Sequence, residues 1–425
     1  MKESSKILLI ISIGIVLFSG CVQQPEIPEK SQLKKFSSYA ELKNFVKTNL
    51  EVSYYPAYYK SMPMPMAARV TTSEAAVPAP AAVPAPTEDY STTNIQVEGV
   101  DEADIVKTDG KYIYVVSGRK VVILAAYPAE DAKIFAEIEL DGTPSEIFIN
   151  KDKLVIFGRE SAYRGYAKIA IEPGAPYIHR GYYQRTFINV YDVSDRANPI
   201  LTRNVSVDGN YFDSRMIEDY VYVIINQPIY YYEEITLPNI SSGGEIKAIP
   251  ASEIYYFDFP DSSYRFTTIL AINTQNDEEE LSKKVFLMGT TQLMYVSLEN
   301  IYVVYTKRLT QSHFYERVID EILMPIVSTD FQNKIREVKN LNISGYEKMQ
   351  LIGEIFENYL ESMNPEEAAT LMETMQERMV DLQREIAKER ERALIHKISI
   401  QGRKINYVTS GEVPGRVLNQ FSMDE

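Results

Sequence analysis

From residue 104 onward the apolar positions fall into short dense runs separated by polar turns: 112–116 (YIYVV), 153–157 (KLVIF), 220–224 (YVYVI) and 300–304 (NIYVV). Each is bounded by turn-forming residues such as Asp109-Gly110-Lys111 and Asn150-Lys151-Asp152, the pattern of strands entered through tight turns. A β-rich run follows each one, at 121–126, 186–193, 267–273 and 394–400, and a further run follows that, at 133–140, 200–207, 283–288 and 404–409. Shorter segments at 105–107, 146–150, 213–217 and 292–298 precede the four runs. The chain therefore predicts a four-strand meander repeated four times.

The spacing supports one repeat. From Tyr112 to Lys153 is 41 residues, from Lys153 to Tyr220 is 67, and from Tyr220 to Asn300 is 80. Residues 160–184 and 228–264 intervene between the second and third strands of units two and three, and removing those 25 and 37 residues leaves 42 and 43. A unit of about 40 to 45 residues with four strands is the blade of a β-propeller. The expected fold class is thus all-β, a propeller of four-stranded blades, four in this chain with 417–423 opening a fifth. Insertions that share one slot join the same two strands, so they are expected to leave from one face.

The fourth unit carries its insertion, 307–392, in the same slot, and that segment reads as helical. Ser344 and Glu347 have capping-box spacing before an apolar stripe from Met349 to Leu360. Asn364-Pro365-Glu366-Glu367 reads as N-cap, N1 proline and acidic first turn, ahead of a stripe at Met372, Met375, Met379, Leu382 and Ile386. A helical hairpin or bundle packed on itself is expected.

The N-terminal part has a different organisation. Lys2 and Lys6 precede a twelve-residue apolar run, 7–18, which is too short for a comfortable membrane span but suits the core of a signal peptide over 1–20. The run ends in Ser19-Gly20-Cys21, which resembles a lipobox, although Phe18 stands where leucine is usual. Cys21 is thereby expected to carry lipid, with 21–55 as the anchor region and one short amphipathic helix over 33–50. Residues 56–93 are rich in Pro, Ala, Met and Thr, a semi-stiff stalk of up to roughly 100 Å at about 3.1 Å per residue. The expected address is extracytoplasmic, at the cell surface and tied to the membrane.

Two stretches in the remaining domain, 94–425, carry a family resemblance: 94–116 (NIQVEGVDEADIVKTDGKYIYVV) and 187–199 (FINVYDVSDRANP). They resemble secreted β-propeller domains distantly related to WD40 repeats, found in archaea and some bacteria. The resemblance implies a propeller on an exported chain and no particular substrate or catalytic residue. Such proteins continue for further blades. An open arc leaves edges unpaired, so truncation, a split gene or completion by another chain is expected.

Charge and chemistry narrow the function classes. The 425 residues hold 44 Lys and Arg against 59 Asp and Glu, a net charge of −15 that disfavours nucleic acid as a partner. Cys21 is the lone cysteine, so a cysteine-based metal cluster or intrachain disulfide is excluded. Phosphate-loop, GxSxG and HExxH motifs are absent, and His179, His313 and His396 share no ligand spacing. Asp101, Glu102, Asp104 and Asp109 miss the oxygen spacing of a calcium loop and read as a solvated acidic entry to the first blade. The methionines around 62–66 read as linker residues before they read as a copper site. No cofactor or metal is expected.

Tyrosines supply the binding candidates: Tyr163, Tyr166, Tyr177, Tyr182 and Tyr183 in one insertion, and Tyr230, Tyr231, Tyr232, Tyr255 and Tyr256 in the next. Their broad rings and polar tips suit protein or glycan, or else pack the insertions onto the blades. Asn204, Asn239 and Asn342 begin glycosylation triplets. The leading expectation is a non-enzymatic surface protein that binds protein or glycan. The alternatives are a polysaccharide-active hydrolase with its site at the propeller channel, marked by buried carboxyls with shifted pKa values, and a structural envelope component.

Overall fold

The computed structural model describes residues 33–50, 95–125, 128–164, 181–229, 234–258, 261, 263–307, 311–341, 343, 345–390 and 392–425. In chain order β1 (Leu33–Lys35) and α1 (Tyr39–Leu50) come first, then β2 (Val100–Glu102). The first sheet is β3 (Val106–Thr108), β4 (Tyr112–Ser117), β5 (Lys120–Ala125) and β6 (Lys133–Glu139). The meander of the second sheet is β7 (Thr143–Asn150), β8 (Lys153–Arg164), β9 (Gly181–Asp192) and β10 (Ile200–Asp208). The third begins with β11 (Asn210–Ile217) and β12 (Tyr220–Pro228). After β13 (Asn239–Ser242), β14 (Glu245–Ala248) and β15 (Ile254–Phe257) it resumes with β16 (Arg265–Asn273) and β17 (Ser282–Met288). The fourth is β18 (Leu293–Val296), β19 (Asn300–Thr306), β20 (Arg392–Gln401) and β21 (Lys404–Pro414). All four meanders are antiparallel.

Alternation along the second strands explains why those runs are apolar throughout. Leu154 and Ile156 of β8 join a core shared with the first sheet, while Val155 and Phe157 join one shared with the third. In β12 Val221, Val223 and Ile225 face the second sheet's core, and Tyr222 and Ile224 face the fourth's. A strand buried on both faces loses the polar half of its pattern. The Phe187 ring of β9 lies against two positions that only glycine fits: a Cβ on Gly158 would lie 2.2 Å from it, and one on Gly142 2.5 Å.

Two of the insertions extend the sheets. The first continues the β8–β9 ladder out to Arg164 opposite Gly181. The second travels along two sheet edges. Its β13–β14 hairpin pairs with β10, and β15 pairs in parallel with β17, the outer strand of the third sheet. β1 then pairs with β15, so residues 33–35 are strand where a helix over 33–50 was expected. Unpaired edge groups on the second and third sheets are satisfied in this way. α1 packs beside the addition through Leu42 and Val46, and Phe36, just before the helix, stacks on Tyr256 at 4.0 Å.

In the last insertion α2 (Gln311–Arg317), one π-helical turn (Val318–Leu323), α3 (Thr329–Lys339), α4 (Gly345–Glu361) and α5 (Pro365–Arg390) enclose their own core. Met375, Met379, Leu382 and Ile386 of α5 are buried in it. Asn364 caps α5, its Oδ1 accepting the Glu367 amide at 2.9 Å.

Residues 417–423 are not a strand. Gln420–Ser422 forms a 3-10 turn, with the Ser422 amide on the Asn419 carbonyl and the Met423 amide on that of Gln420, local bonds in place of strand pairing there. The Glu425 side-chain Oε1 accepts from Lys397 and Tyr302, each at 2.7 Å, and from Asn300 at 2.9 Å.

Candidate functional site

The first strands of the second and third sheets bring together a polar group that the sequence reading did not select. β7 is irregular between Pro144 and Glu146, and β11 between Tyr211 and Asp213, so a bulge precedes each carboxylate. Bulges bend a strand and re-aim the following side chain. Glu146 and Asp213 each lie seven residues before the first residue of the next strand, Lys153 and Tyr220.

Tyr211, two residues before Asp213, reaches Glu146. Its hydroxyl donates to Glu146 Oε2 at 2.5 Å and lies 2.8 Å from the hydroxyl of buried Ser214. Asp213 Oδ1 accepts from Arg215 Nη1 at 2.6 Å, and Arg215 also meets Glu102 Oε1 at 3.5 Å and the Gln420 side-chain carbonyl at 3.2 Å. β2 positions Glu102 by pairing it with Arg215 across the ladder. Asp101 on the same strand accepts from buried Lys107 at 2.7 Å.

Both carboxyls are raised, against different partners. Burial pushes Glu146 above its ordinary value, the Tyr211 hydroxyl opposes this, and the charge of Asp213 adds to the rise. Burial also raises Asp213, against the opposing charge of Arg215. Burial and the neighbouring carboxylates push Tyr211 well up, so it stays a neutral donor. A carboxyl held by a hydroxyl beside one paired with a guanidinium can donate and accept hydrogen bonds on one polar ligand.

The residues singled out from sequence are dispersed. Cys21, Tyr166, Tyr177, Tyr230, Tyr231, Tyr232, Asn342 and His179 lie outside the described residues, and so do the leader and the stalk. Tyr163 and Tyr182 are opposite one another on β8 and β9, and Tyr183 is opposite Ala162. Tyr256 is buried against Phe36, and Tyr255 packs near Phe286 beneath Lys35 and Lys284. Asn204 is exposed and donates to Asn189 at 2.6 Å, whereas Asn239 is buried and donates to Asp208 at 2.7 Å. His396 is buried between Tyr305 and Tyr407. Among the described residues no three His, Cys, Asp or Glu side chains converge as metal ligands, and no helix is long and apolar enough to cross a membrane.

A usable signal for the site was present in the sequence. Glu146 and Asp213 are 67 residues apart, the same interval as Lys153 to Tyr220, so both occupy one position of the repeat.

The chain belongs to the β-propeller domain family, whose model matches residues 90–425. It is 26% identical over 443 residues to an uncharacterised protein of Archaeoglobus fulgidus, spanning 99% of this chain and 66% of that one. It is 27% identical over 435 residues to an uncharacterised protein of Methanocaldococcus jannaschii, spanning 99% of this chain and 62% of that one. The chain thus spans just under two thirds of the length of these relatives. Among solved structures it is similar to Pyrococcus horikoshii acylaminoacyl peptidase at 14% identity, covering 49% of this chain and 35% of that one with a TM-score of 0.23, too low to carry an argument.

Proposed function

We propose that this chain is part of an extracytoplasmic β-propeller protein, held to the membrane by lipid on Cys21, that binds glycan at the Glu146–Asp213 pair. The observation that carries the reading is that pair: two partly desolvated carboxyls at one repeat position, each behind a bulge, Glu146 held by the Tyr211 hydroxyl and Asp213 by Arg215. Buried polar groups that fix ligand orientation are the usual content of a binding site, and hydroxyl-rich ligands match mixed donors and acceptors. The short apolar leader ending at Cys21 supports the anchor. Each meander is read as one blade. The exposed apolar Ile105, Val106 and Ile134 on the first sheet and Val408 and Val413 on the fourth support completion of the ring by further blades.

Hydrolysis of the bound glycan is the second reading, favoured by the different partners of the two carboxyls, a hydroxyl on Glu146 and a guanidinium on Asp213, since glycosidases use one as acid and the other as base or nucleophile. One experiment separates the readings. Full-length protein, Glu146→Gln and Asp213→Asn are titrated with soluble hexasaccharides of glucose, mannose and N-acetylglucosamine while reducing ends are counted. Binding weakened in both variants, without release of reducing ends by any form, supports recognition alone. Release by the native chain and loss of it in both variants supports hydrolysis. Equal binding by all three forms overturns both.

A further inference from the structure

A cleft of about 600 Å³ opens between the turns of the third and fourth sheets, lined by Tyr220, Glu218, Glu299, Gln401, Lys404 and Asn406 among others. Its volume lies within the roughly 300 to 1,000 Å³ typical of small-ligand sites. It is built by three tight turns, β11 to β12, β18 to β19 and β20 to β21, and is separate from the Glu146–Asp213 pair on the first strands.

Two features mark it as prepared for a ligand. The first is a fixed aromatic wall. Tyr220 donates its hydroxyl to Glu279 at 3.0 and 3.2 Å, and Tyr222 beside it donates to the Gly402 carbonyl at 2.8 Å. Gly402, at φ +54°, lets the β20–β21 turn close in, because a Cβ there would already lie 3.3 Å from the Tyr220 ring. The second is a set of uncommitted polar groups. Among the described residues the side chains of Glu218, Glu299, Gln401 and Asn406 have no hydrogen-bond partner, although all four are exposed around one concavity. Glu218 also holds a left-handed backbone, φ 52°, at the rim.

We propose that this cleft is a second saccharide site, which extends the glycan-binding reading to another surface. The chemistry favours a neutral sugar. Lys404 partly offsets Glu218 and Glu299, so the cleft is not a strong charge trap, and side-chain amides with carboxylates match the paired donors and acceptors of adjacent hydroxyls. The Tyr220 ring offers an apolar surface to the C–H face of a pyranose.

The test uses the full chain and the same three soluble hexasaccharides, with binding followed by calorimetry and by saturation-transfer NMR. Gln401→Ala with Asn406→Ala removes two exposed amides without touching the core, and binding should weaken severalfold. Tyr220→Ala should weaken it about tenfold, while Tyr220→Phe, which keeps the ring, should stay close to the native chain. Unchanged affinity in both the double variant and Tyr220→Ala overturns the cleft, and if Glu146→Gln still weakens binding, the first-strand reading stands alone. Binding sensitive to the cleft variants but indifferent to Glu146→Gln and Asp213→Asn supports the cleft and removes the first-strand reading. No binding to any of the three sugars overturns the cleft proposal.

Discussion

Arg196 donates from Nη2 to Asp109 Oδ2 at 3.1 Å, joining the loop after β9 to the turn before β4. Its Nε also donates to the Tyr114 hydroxyl at 3.1 Å, and Tyr114 in turn donates to Asp109 at 2.8 Å. The two segments that carry the family resemblance, 94–116 and 187–199, therefore meet in one network between the first and second sheets. Their shared pattern is a structural clasp.

Removing Arg196 leaves Asp109 and buried Tyr114 short of a donor. Arg196→Ala should cost about 2 to 3 kcal/mol in urea unfolding of the full chain, and Arg196→Lys should recover less than half, because an ammonium cannot reproduce the guanidinium fork. Burial pushes Asp109 upward, but the amides of Tyr112 and Lys111, the Tyr114 hydroxyl and Arg196 outweigh it and hold the carboxyl below its ordinary value. Its contribution is present above the unfolded value and lost as pH falls through the folded one. Arg196→Ala should consequently flatten the loss of stability in that acid range.

His396 gives a second pH signature. Its ring nitrogens lie 3.3 Å from the hydroxyls of Tyr407 and Tyr305, its ring is 4.3 Å from that of Phe257, and burial pushes its pKa down to about 3. Unfolding releases an imidazole that titrates near 6.5, so this stability is fully present above that pH and is lost as pH falls toward 3. Between pH 7.5 and 4.5 the native chain should lose about 2 to 3 kcal/mol more than His396→Phe. Parallel curves for the two proteins would refute this.

The helical insertion should be dispensable for the sheets. Thr306 pairs with Ala393, the Lys307 amide donates to the Arg392 carbonyl at 3.0 Å, and among the described residues the helical core draws only on the insertion itself. Replacing residues 308–391 by an Asn-Gly turn should remove helical ellipticity while leaving a β-type spectrum and a cooperative melt. A broad, non-cooperative melt would show that the fourth sheet depends on the helices.

The anchor is tested separately. Cys21→Ser should move the protein from the membrane fraction to the soluble extracytoplasmic fraction, and intact mass of the native protein should show an added lipid. Unchanged partitioning of the variant would remove the lipid attachment.

The strand runs were legible because β8 and β12 are buried on both faces, which makes KLVIF and YVYVI conspicuous. The α5 cap was legible because Asn364 and Glu367 interact within one turn. The edge additions were not. β1 and β15 are three and four residues long, and β15 joins β17 in parallel across a wide sequence gap, a pairing no local pattern encodes. The burial of Tyr256 against Phe36 was not legible, because aromatic composition does not distinguish packing from exposure. Glu146 and Asp213 were hidden among 59 acids until the bulges and the repeat interval singled them out.

Hydrogen–deuterium exchange of the full chain, with and without a saturating hexasaccharide from the three tested, addresses the first-strand site most directly. Peptides covering 143–150 and 210–217 should gain protection on binding, and Glu146→Gln should abolish that gain. Protection confined to the insertions at 160–184 and 228–264, with 143–150 and 210–217 unchanged, would contradict the assignment.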